Sequence, residues 1–173
     1  MKLPENTKLV KANEAFDGLV CLHKTHELKQ AKSILNTGFN LKKFGHTAKL
    51  FGAPEFLVKY DPIAVFASPS TCHSILSGDP YVEFKLKQDA RVLVHSLDAG
   101  GIKRELHELL SPKNQSDFSI KLKAMGIDAI CHSESQNEVI VINPDVIELI
   151  QGGLYNETTL EARYKASGAD LSR

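Results

Sequence analysis

The stretch GIDAICHSESQNEVIVINPDVIELI, residues 126–150, decides the fold. It holds two apolar segments, residues 128–131 and 138–142, joined by the polar loop HSESQN. Short apolar runs bounded by turn-forming residues predict a pair of strands. The second strand starts at Glu138, where the chain enters a core. A carboxylate at that point is partly desolvated and needs a hydrogen-bond donor or a developing positive charge beside it, so Glu138 is a candidate functional residue. A solvated loop acid is the plainer alternative.

Further strands and helices are predicted upstream of this pair. Apolar runs or alternation predict strands at residues 19–22, 63–67, 81–87 and 91–95, and helical spacing predicts helices at residues 26–36, 102–110 and 117–125. Thr25 is a candidate N-cap of the first helix, and Gly38 is its expected stop. Residues 1–17 are expected to be an irregular lead-in. Strands and helices do not alternate regularly, which favours an α+β fold.

Length and composition favour one soluble domain. The chain has 173 residues, and 42% of them are hydrophobic. We therefore expect a single domain over residues 1–173, with a core at about 18–150 and a polar C-terminal appendage at 152–173. Lys plus Arg and Asp plus Glu each number 21, so the net charge is zero. This balance disfavours binding of nucleic acid through bulk charge, although it does not exclude a small basic cleft.

The cysteines and the N-terminus indicate a cytoplasmic site of synthesis. Cys21, Cys72 and Cys131 are odd in number, widely spaced and without a CxxC pair, which disfavours both disulfides and a zinc site. The polar N-terminus carries no apolar signal region, and no run approaches the roughly 18 apolar residues that a membrane span needs. We expect no membrane association. Delivery to a host cell by a route that does not read an N-terminal signal stays open.

Two more places are candidates for chemistry. His23 closes a predicted strand and precedes a helix, so it is either a ligand contact or a histidine that only hydrogen-bonds backbone. Phe66 lies in the run IAVFA and is followed by Ser68 and Ser70. The phenyl ring is either plain core or the floor of a pocket that stacks on a flat ring, and the serines either bind an amide or cap a helix.

Taken in chain order, three stretches resemble the ADP-ribosyltransferase family. VCLHKTHELKQAKSILNTGFN (residues 20–40) resembles the opening strand, which ends in His-Gly-Thr or a close relative, and its helix. AVFASPS (residues 64–70) resembles the pattern G-[VI]-Y-F-T-P-S. Residues 126–150 resemble a Gly-[YI]-Asp-[GA]-Ile stretch followed by Glu-[YVI]-Val-Val-Phe-[ND]-Pro. The resemblance spans residues 18–150 and is closest to the His-Tyr-Glu branch, shared by diphtheria toxin and the poly(ADP-ribose) polymerases.

The resemblance implies a split, mostly antiparallel β-sandwich that binds NAD, its substrate, in the cleft between two sheets. By this resemblance His23 would hydrogen-bond the adenosine ribose, and the backbone of Lys24 would bind the nicotinamide amide. Phe66 would stack on nicotinamide, and Glu138 would be the catalytic acid. The implied cofactor-binding set also includes three residues with side-chain hydroxyl groups, namely Thr25, Ser68 and Ser70. The resemblance implies no metal.

Gln136, two residues before Glu138, would face the acceptor. In a different branch of the family a Gln at this offset accompanies acceptors other than arginine. The implied activity is mono-ADP-ribosylation of a macromolecule, and neutral charge favours a protein acceptor over nucleic acid. A single small transferase domain is typical of an effector or toxin-like modifier.

The sequence departs from the family pattern at three places. Lys24 replaces Gly, so its side chain must swing clear of a bound ligand. Phe66 replaces Tyr and lacks its hydroxyl. The second stacking aromatic is missing near Leu76 or Ser77, and His73 and Tyr81 are the candidates to replace it. A stacked ring pair contributes roughly 0.5–1.5 kcal/mol. These departures leave open a catalytically inactive binding module with the same fold. An unrelated α+β enzyme with a cysteine nucleophile is a third hypothesis.

Overall fold

A computed structural model of the chain describes residues 3–15, 20–42, 60–69, 75–97, 99–133 and 138–156. Ser70, Cys72 and Gln136 lie outside these ranges. The described strands are β1 Thr7–Lys11, β2 Cys21–Lys24, β3 Val65–Pro69, β4 Pro80–Leu86, β5 Arg91–His95, β6 Ala129–His132, β7 Val139–Val141 and β8 Ile147–Leu154. The described helices are α1 Ala12–Ala15, α2 Leu28–Thr37, α3 Ala99–Leu110 and α4 Gln115–Ala124, with a 3₁₀ turn at Pro144–Val146.

The strands form one sheet in the order β1-β5-β6-β7-β3-β2-β4-β8. Neighbouring strands are antiparallel except β5 and β6, which are parallel. A parallel pair needs a long crossover connection, and here α3 and α4 supply it. The α+β class predicted from the sequence is confirmed.

A narrow seam divides this sheet into two halves. β2 and β3 pair through only Cys21↔Pro69 and Leu22↔Ser68. The first half contains β1, β5, β6, β7 and β3, and the second half contains β2, β4 and β8. Beyond Leu22, β2 continues along β4 alone, whereas β3 continues along β7. The seam is therefore the place where the sheet opens.

Alternation along the strands separates two cores. On one face, here the inner face, Val65 and Val139 pack in a cluster that also contains Phe84 of the second half. On the opposite face, the helix face, Phe66 and Ile140 pack against the buried residues of α3 and α4, which are Ile102, Leu106, Phe118 and Leu122. Complete burial of such a side chain contributes about 1.5–3 kcal/mol. The inner-face cluster thus joins both halves of the sheet, and the helix-face cluster holds the crossover.

Helix α4 has clear start and stop signals. The Asn114 side chain accepts a hydrogen bond from the Asp117 backbone N–H at 2.9 Å, as an N-cap does. At the other end, Gly126 has φ of +75° and donates to the Lys123 carbonyl, while Ile127 donates to the Leu122 carbonyl. This is the Schellman arrangement, which favours glycine. The chain leaves the helix at this turn and enters β6 three residues after Gly126.

Each of the predicted strands and helices has a counterpart among these elements, but three details differ. The irregular lead-in predicted for residues 1–17 is wrong in part, because β1 and α1 lie there and β1 pairs with β5. The predicted N-cap Thr25 is also wrong. The N-cap is Glu27, and the Thr25 hydroxyl donates to the Glu27 carbonyl at 3.2 Å. At the C-terminal side β8 continues to Leu154, so residues 152–154 belong to the sheet. Gly38 ends α2, as predicted.

Within the described ranges, no helix is both long and apolar enough to cross a bilayer.

Candidate functional site

Glu138 lies beside two neighbouring strands, immediately before β7. The β3–β7 register ends at Ala67↔Val139, and one further step places Glu138 beside Ser68. The β6–β7 register ends at Cys131↔Val139, and the same step places Glu138 beside His132. Side chains alternate along a strand, so Glu138 shares the helix face with Ile140.

A largely buried ion pair lies near this carboxylate on the helix face. Lys103 of α3 donates to Asp61 at 2.7 Å, and the two side chains are only 16% and 18% exposed. The Lys103 Nζ also lies 5.7 Å from the centroid of the Phe66 ring. Glu138 itself is half-buried. We call Asp61, Phe66, Lys103 and Glu138 the Lys103 cluster.

The electrostatics of the cluster act on Glu138 in opposite directions. Burial raises the pKa of the Glu138 carboxyl, the nearby Lys103 ammonium lowers it, and the Asp61 carboxylate raises it. Burial is the largest of these effects. The carboxylate is therefore held in a place that weakens its hydration and strengthens its interaction with any nearby cation.

His23 lies at the seam. Its Nδ1 is 2.7 Å from the Phe66 carbonyl oxygen. Because a carbonyl oxygen only accepts, Nδ1 carries the hydrogen and donates it. The imidazole packs edge-on against Phe39, with ring centroids 5.2 Å apart. Burial lowers the pKa of His23, so the neutral ring is favoured and its Nε2 is a hydrogen-bond acceptor.

The structure brings the three motif-bearing strands together but does not bring all three side chains to one face. β2, β3 and β7 are adjacent, and Leu22, Ser68 and Glu138 fall in one row across them. Phe66 and Glu138 share the helix face. The His23 ring packs with Phe39 at the inner-face cluster. A ligand that touched all three would have to lie at the seam.

The remaining cofactor-binding candidates lie around the same strand end. Lys24 points its side chain to Asp79, with an Nζ–Oδ2 distance of 2.6 Å, and is itself half exposed. Hydrogen bonding from Lys24 lowers the pKa of Asp79. Thr25 is buried and Ser68 is half-buried.

Leu76 and Tyr81, two positions near the expected second stacking ring, differ in exposure, and His73 lies outside the described residues. Leu76 is 69% exposed and offers no ring. Tyr81 is buried, and its ring lies edge-on to Tyr155 at 5.6 Å. Tyr81 therefore packs into the second half of the sheet, away from solvent.

A separate pocket lies next to His132. Its volume is about 210 Å³. It is lined by residues of β1, α1, β5 and the end of β6, among them Lys8, Glu14, Val94, Cys131, His132 and Ser133. The positive charge of Lys8 and the negative charge of Glu14 leave this lining without a net charge from these two side chains. The pocket is next to the row of Glu138 without including that residue.

Sequence reasoning missed two polar pairs. The Asp128 carboxylate accepts from the Arg91 backbone N–H at 2.9 Å and from Asn143 Nδ2 at 2.8 Å. Asp128 and Asn143 both lie in the stretch of residues 126–150, so their closeness in sequence could have indicated the hydrogen bond between them. The Lys103–Asp61 pair gave no signal, since its members are 42 positions apart.

The described residues offer neither a three-ligand metal site nor a reactive thiol. No group of three His, Cys, Asp or Glu side chains there could hold a metal ion. Burial raises the pKa of the Cys21 and Cys131 thiols to about 12 each. Neither thiol is therefore a reactive thiolate at neutral pH.

Comparison with known proteins gives no match: no family model, no curated protein and no solved structure matches the chain. The similarity to ADP-ribosyltransferases thus rests on the residues quoted above.

Proposed function

We propose that the chain is an NAD-dependent mono-ADP-ribosyltransferase that modifies a macromolecule, with protein favoured as the acceptor. The observation that carries this proposal is the adjacency of β2, β3 and β7. The three stretches that resemble the family are far apart in sequence, yet they supply neighbouring strands. The resemblance implies two sheets, whereas the described strands form one; the narrow seam between β2 and β3 is what supports a split, mostly antiparallel arrangement.

Glu138 has a defined task in this reaction. The bond between C1 of the ribose and the nicotinamide nitrogen breaks, and its electron pair leaves with nicotinamide. Positive charge develops on the ribose, and a fixed carboxylate beside it stabilises that charge. A nucleophilic atom of the acceptor then bonds to C1 and releases its proton. The half-buried position of Glu138 strengthens this stabilisation, because a poorly hydrated carboxylate interacts more strongly with a cation.

His23 suits the role of a ribose contact. Its Nδ1 donates to the Phe66 carbonyl, which fixes the ring orientation and the tautomer. The neutral ring then offers Nε2 as an acceptor for a ribose hydroxyl. A dinucleotide along the seam would border both faces of the sheet, because β2 and β3 diverge beyond their two paired positions. Phe66 and Glu138 would meet it from one face and His23 from the other.

Nicotinamide release and label transfer test the proposal. Purified protein is incubated with labelled NAD and a cell lysate, and Glu138→Gln is compared with Glu148→Gln, which changes an exposed acid on β8. We expect Glu138→Gln to lower the rate about 10²–10³-fold, as loss of one preorganised electrostatic group does, and Glu148→Gln to leave it unchanged. Folded wild-type protein that neither releases nicotinamide nor transfers label would refute the proposal.

A binding module without catalysis is the second candidate. Lys24 in place of Gly and the exposed, non-aromatic Leu76 favour it. Calorimetric NAD titration distinguishes the two candidates. Heat of binding without nicotinamide release, unchanged in Glu138→Gln, would support the module. If expression of the wild type is toxic and expression of Glu138→Gln is not, an effector or toxin-like transferase is supported instead.

A further inference from the structure

Lys103 is the only ammonium or guanidinium group among the described residues that is held over the Phe66 ring. Its neighbours on α3, Ile102 and Leu106, are fully buried, so this part of the helix is fixed against the sheet. The ammonium is bonded to Asp61 at 2.7 Å, and both side chains are largely enclosed. Such a position is unusual for lysine, because burial of its charge is unfavourable without a partner.

The segment that carries Asp61 is also fixed. The ring of Tyr60 lies 5.0 Å from the imidazole of His107 on α3. Two residues after Asp61, the Ile63 carbonyl accepts from the Ser119 hydroxyl of α4 at 2.9 Å. The segment that contains Asp61 therefore contacts both α3 and α4.

Glu138 lies within reach of this ammonium. Phe66 pairs with Ile140, and Glu138 is two residues before Ile140 on the same face. Phe66 and Glu138 are thus diagonal neighbours, a spacing of about 7–8 Å across which long side chains interact. The ammonium above Phe66 consequently lies on the same face of the sheet as the carboxylate.

We propose that Lys103 is a positioning residue that, held by Asp61 above Phe66, keeps the half-buried carboxylate of Glu138 charged. The catalytic meaning of this arrangement rests on the proposed transferase activity, in which Glu138 acts only as the carboxylate. The electrostatic arrangement itself does not depend on that activity. The directions of the two effects agree: Lys103 lowers the pKa of Glu138 and Asp61 raises it.

Titratable groups on the neighbouring elements of the described structure include an ammonium, a carboxylate and two imidazoles. Lys103 comes from α3 and Asp61 from the segment before β3. His132 comes from β6, one step along the register, and His95 lies next to it on β5, with ring centroids 5.3 Å apart. The two histidines are unchanged in the variants below.

A carbon-detected NMR titration of the Glu138 side-chain carboxyl tests the inference on the folded full chain. The resonance is assigned by its absence in Glu138→Gln. In Lys103→Met the titration midpoint should rise by about half a pH unit or more, as expected when one positive unit charge on the same face is removed from partly hydrated protein. Lys103→Arg should keep the wild-type midpoint, because it keeps the charge. A midpoint that stays or falls in Lys103→Met overturns the inference.

Asp61→Asn provides a test of opposite sign. Loss of the repelling carboxylate should lower the midpoint of Glu138. If Lys103 and Asp61 had only a structural role, the Glu138 midpoint would shift in the same direction in both variants, or in neither. That result overturns the inference. Lys103→Gln replaces Lys103→Met if the latter does not fold by its amide spectrum.

The pH profile of NAD turnover separates this inference from the proposed function. In Lys103→Met the acidic limb should move to higher pH with the NMR midpoint, so activity on that limb falls about threefold for half a pH unit. If no variant turns over NAD while the NMR midpoints shift as expected, the transferase proposal fails and the Lys103 effect holds. If turnover occurs and the midpoint does not move, the Lys103 inference alone fails.

Discussion

Replacing Asp128 should weaken the connection among β5, β6 and β7. Its carboxylate accepts two hydrogen bonds, from the Arg91 backbone and from the Asn143 side chain. A hydrogen bond to a charged group contributes roughly 1.5–3 kcal/mol, and the low end applies because Asp128 is only half-buried. Asp128→Ala removes both bonds, so the free energy of unfolding should fall by about 2–3 kcal/mol. For a chain of this length, this corresponds to about 4–12 °C in Tm.

Urea unfolding followed by circular dichroism measures this loss. The backbone carbonyl of Asp128 also accepts from the backbone N–H groups of Ile142 and Asn143, and these bonds remain in the variant. The strand pairing should therefore survive, and the denaturant slope should not change. Asp89→Ala, which changes an exposed aspartate, should stay within about 0.5 kcal/mol of the wild type. A loss below about 0.5 kcal/mol in Asp128→Ala would show that the carboxylate does not hold the strands.

Three other predictions concern backbone, thiols and pH. Gly126→Ala should lower the free energy of unfolding by about 1–2 kcal/mol, because glycine there has a positive φ and an added Cβ would clash with the Arg91 guanidinium; an unchanged urea midpoint would contradict this. In a Cys72→Ser variant, Cys21 and Cys131 should react with a thiol reagent only after denaturation, since both are buried with a raised pKa; rapid native labelling at neutral pH would refute it. Burial lowers the pKa of His23 below 6.5, so the unfolded state binds the proton more readily and stability falls as pH drops through that value. His23→Gln should show a smaller loss of urea midpoint between pH 7 and pH 5, and an equal loss would refute this reasoning.

Local patterns predicted the strands that carry their own signal. Residues 81–87 alternate apolar and charged side chains, and β4 occupies Pro80–Leu86. Residues 91–95 form a compact apolar run that coincides with β5. β1 was missed because its sequence, TKLVK, is short and lies among polar residues. Its pairing with β5 stabilises it, and that partner is about 80 positions away, so no local pattern reveals it.

Residues of the candidate site could be predicted only where a polar side chain stands next to an apolar run in the sequence. Glu138 was noticeable because an acid precedes an apolar run, and the structure gives it the expected half-buried position. His23 hydrogen-bonds backbone, as its plainer interpretation held, but the carbonyl belongs to Phe66 on the next strand. Lys103 looked like an ordinary helix residue, because its partner Asp61 is brought to it only by the packing of α3 on the sheet.

The chain visits the two halves of the sheet in turn. β1 belongs to the first half, β2 to the second, β3 to the first and β4 to the second, and β8 returns to the second after β5, β6 and β7. No single cut can therefore separate the strands of one half from the strands of the other. Any fragment would leave strands with unpaired backbone edges, which associate readily with other chains. Complementary pieces produced by one protease cleavage should remain bound to each other until denaturant separates them, and reporters assembled from two separately expressed halves of this chain would be prone to aggregation before they meet.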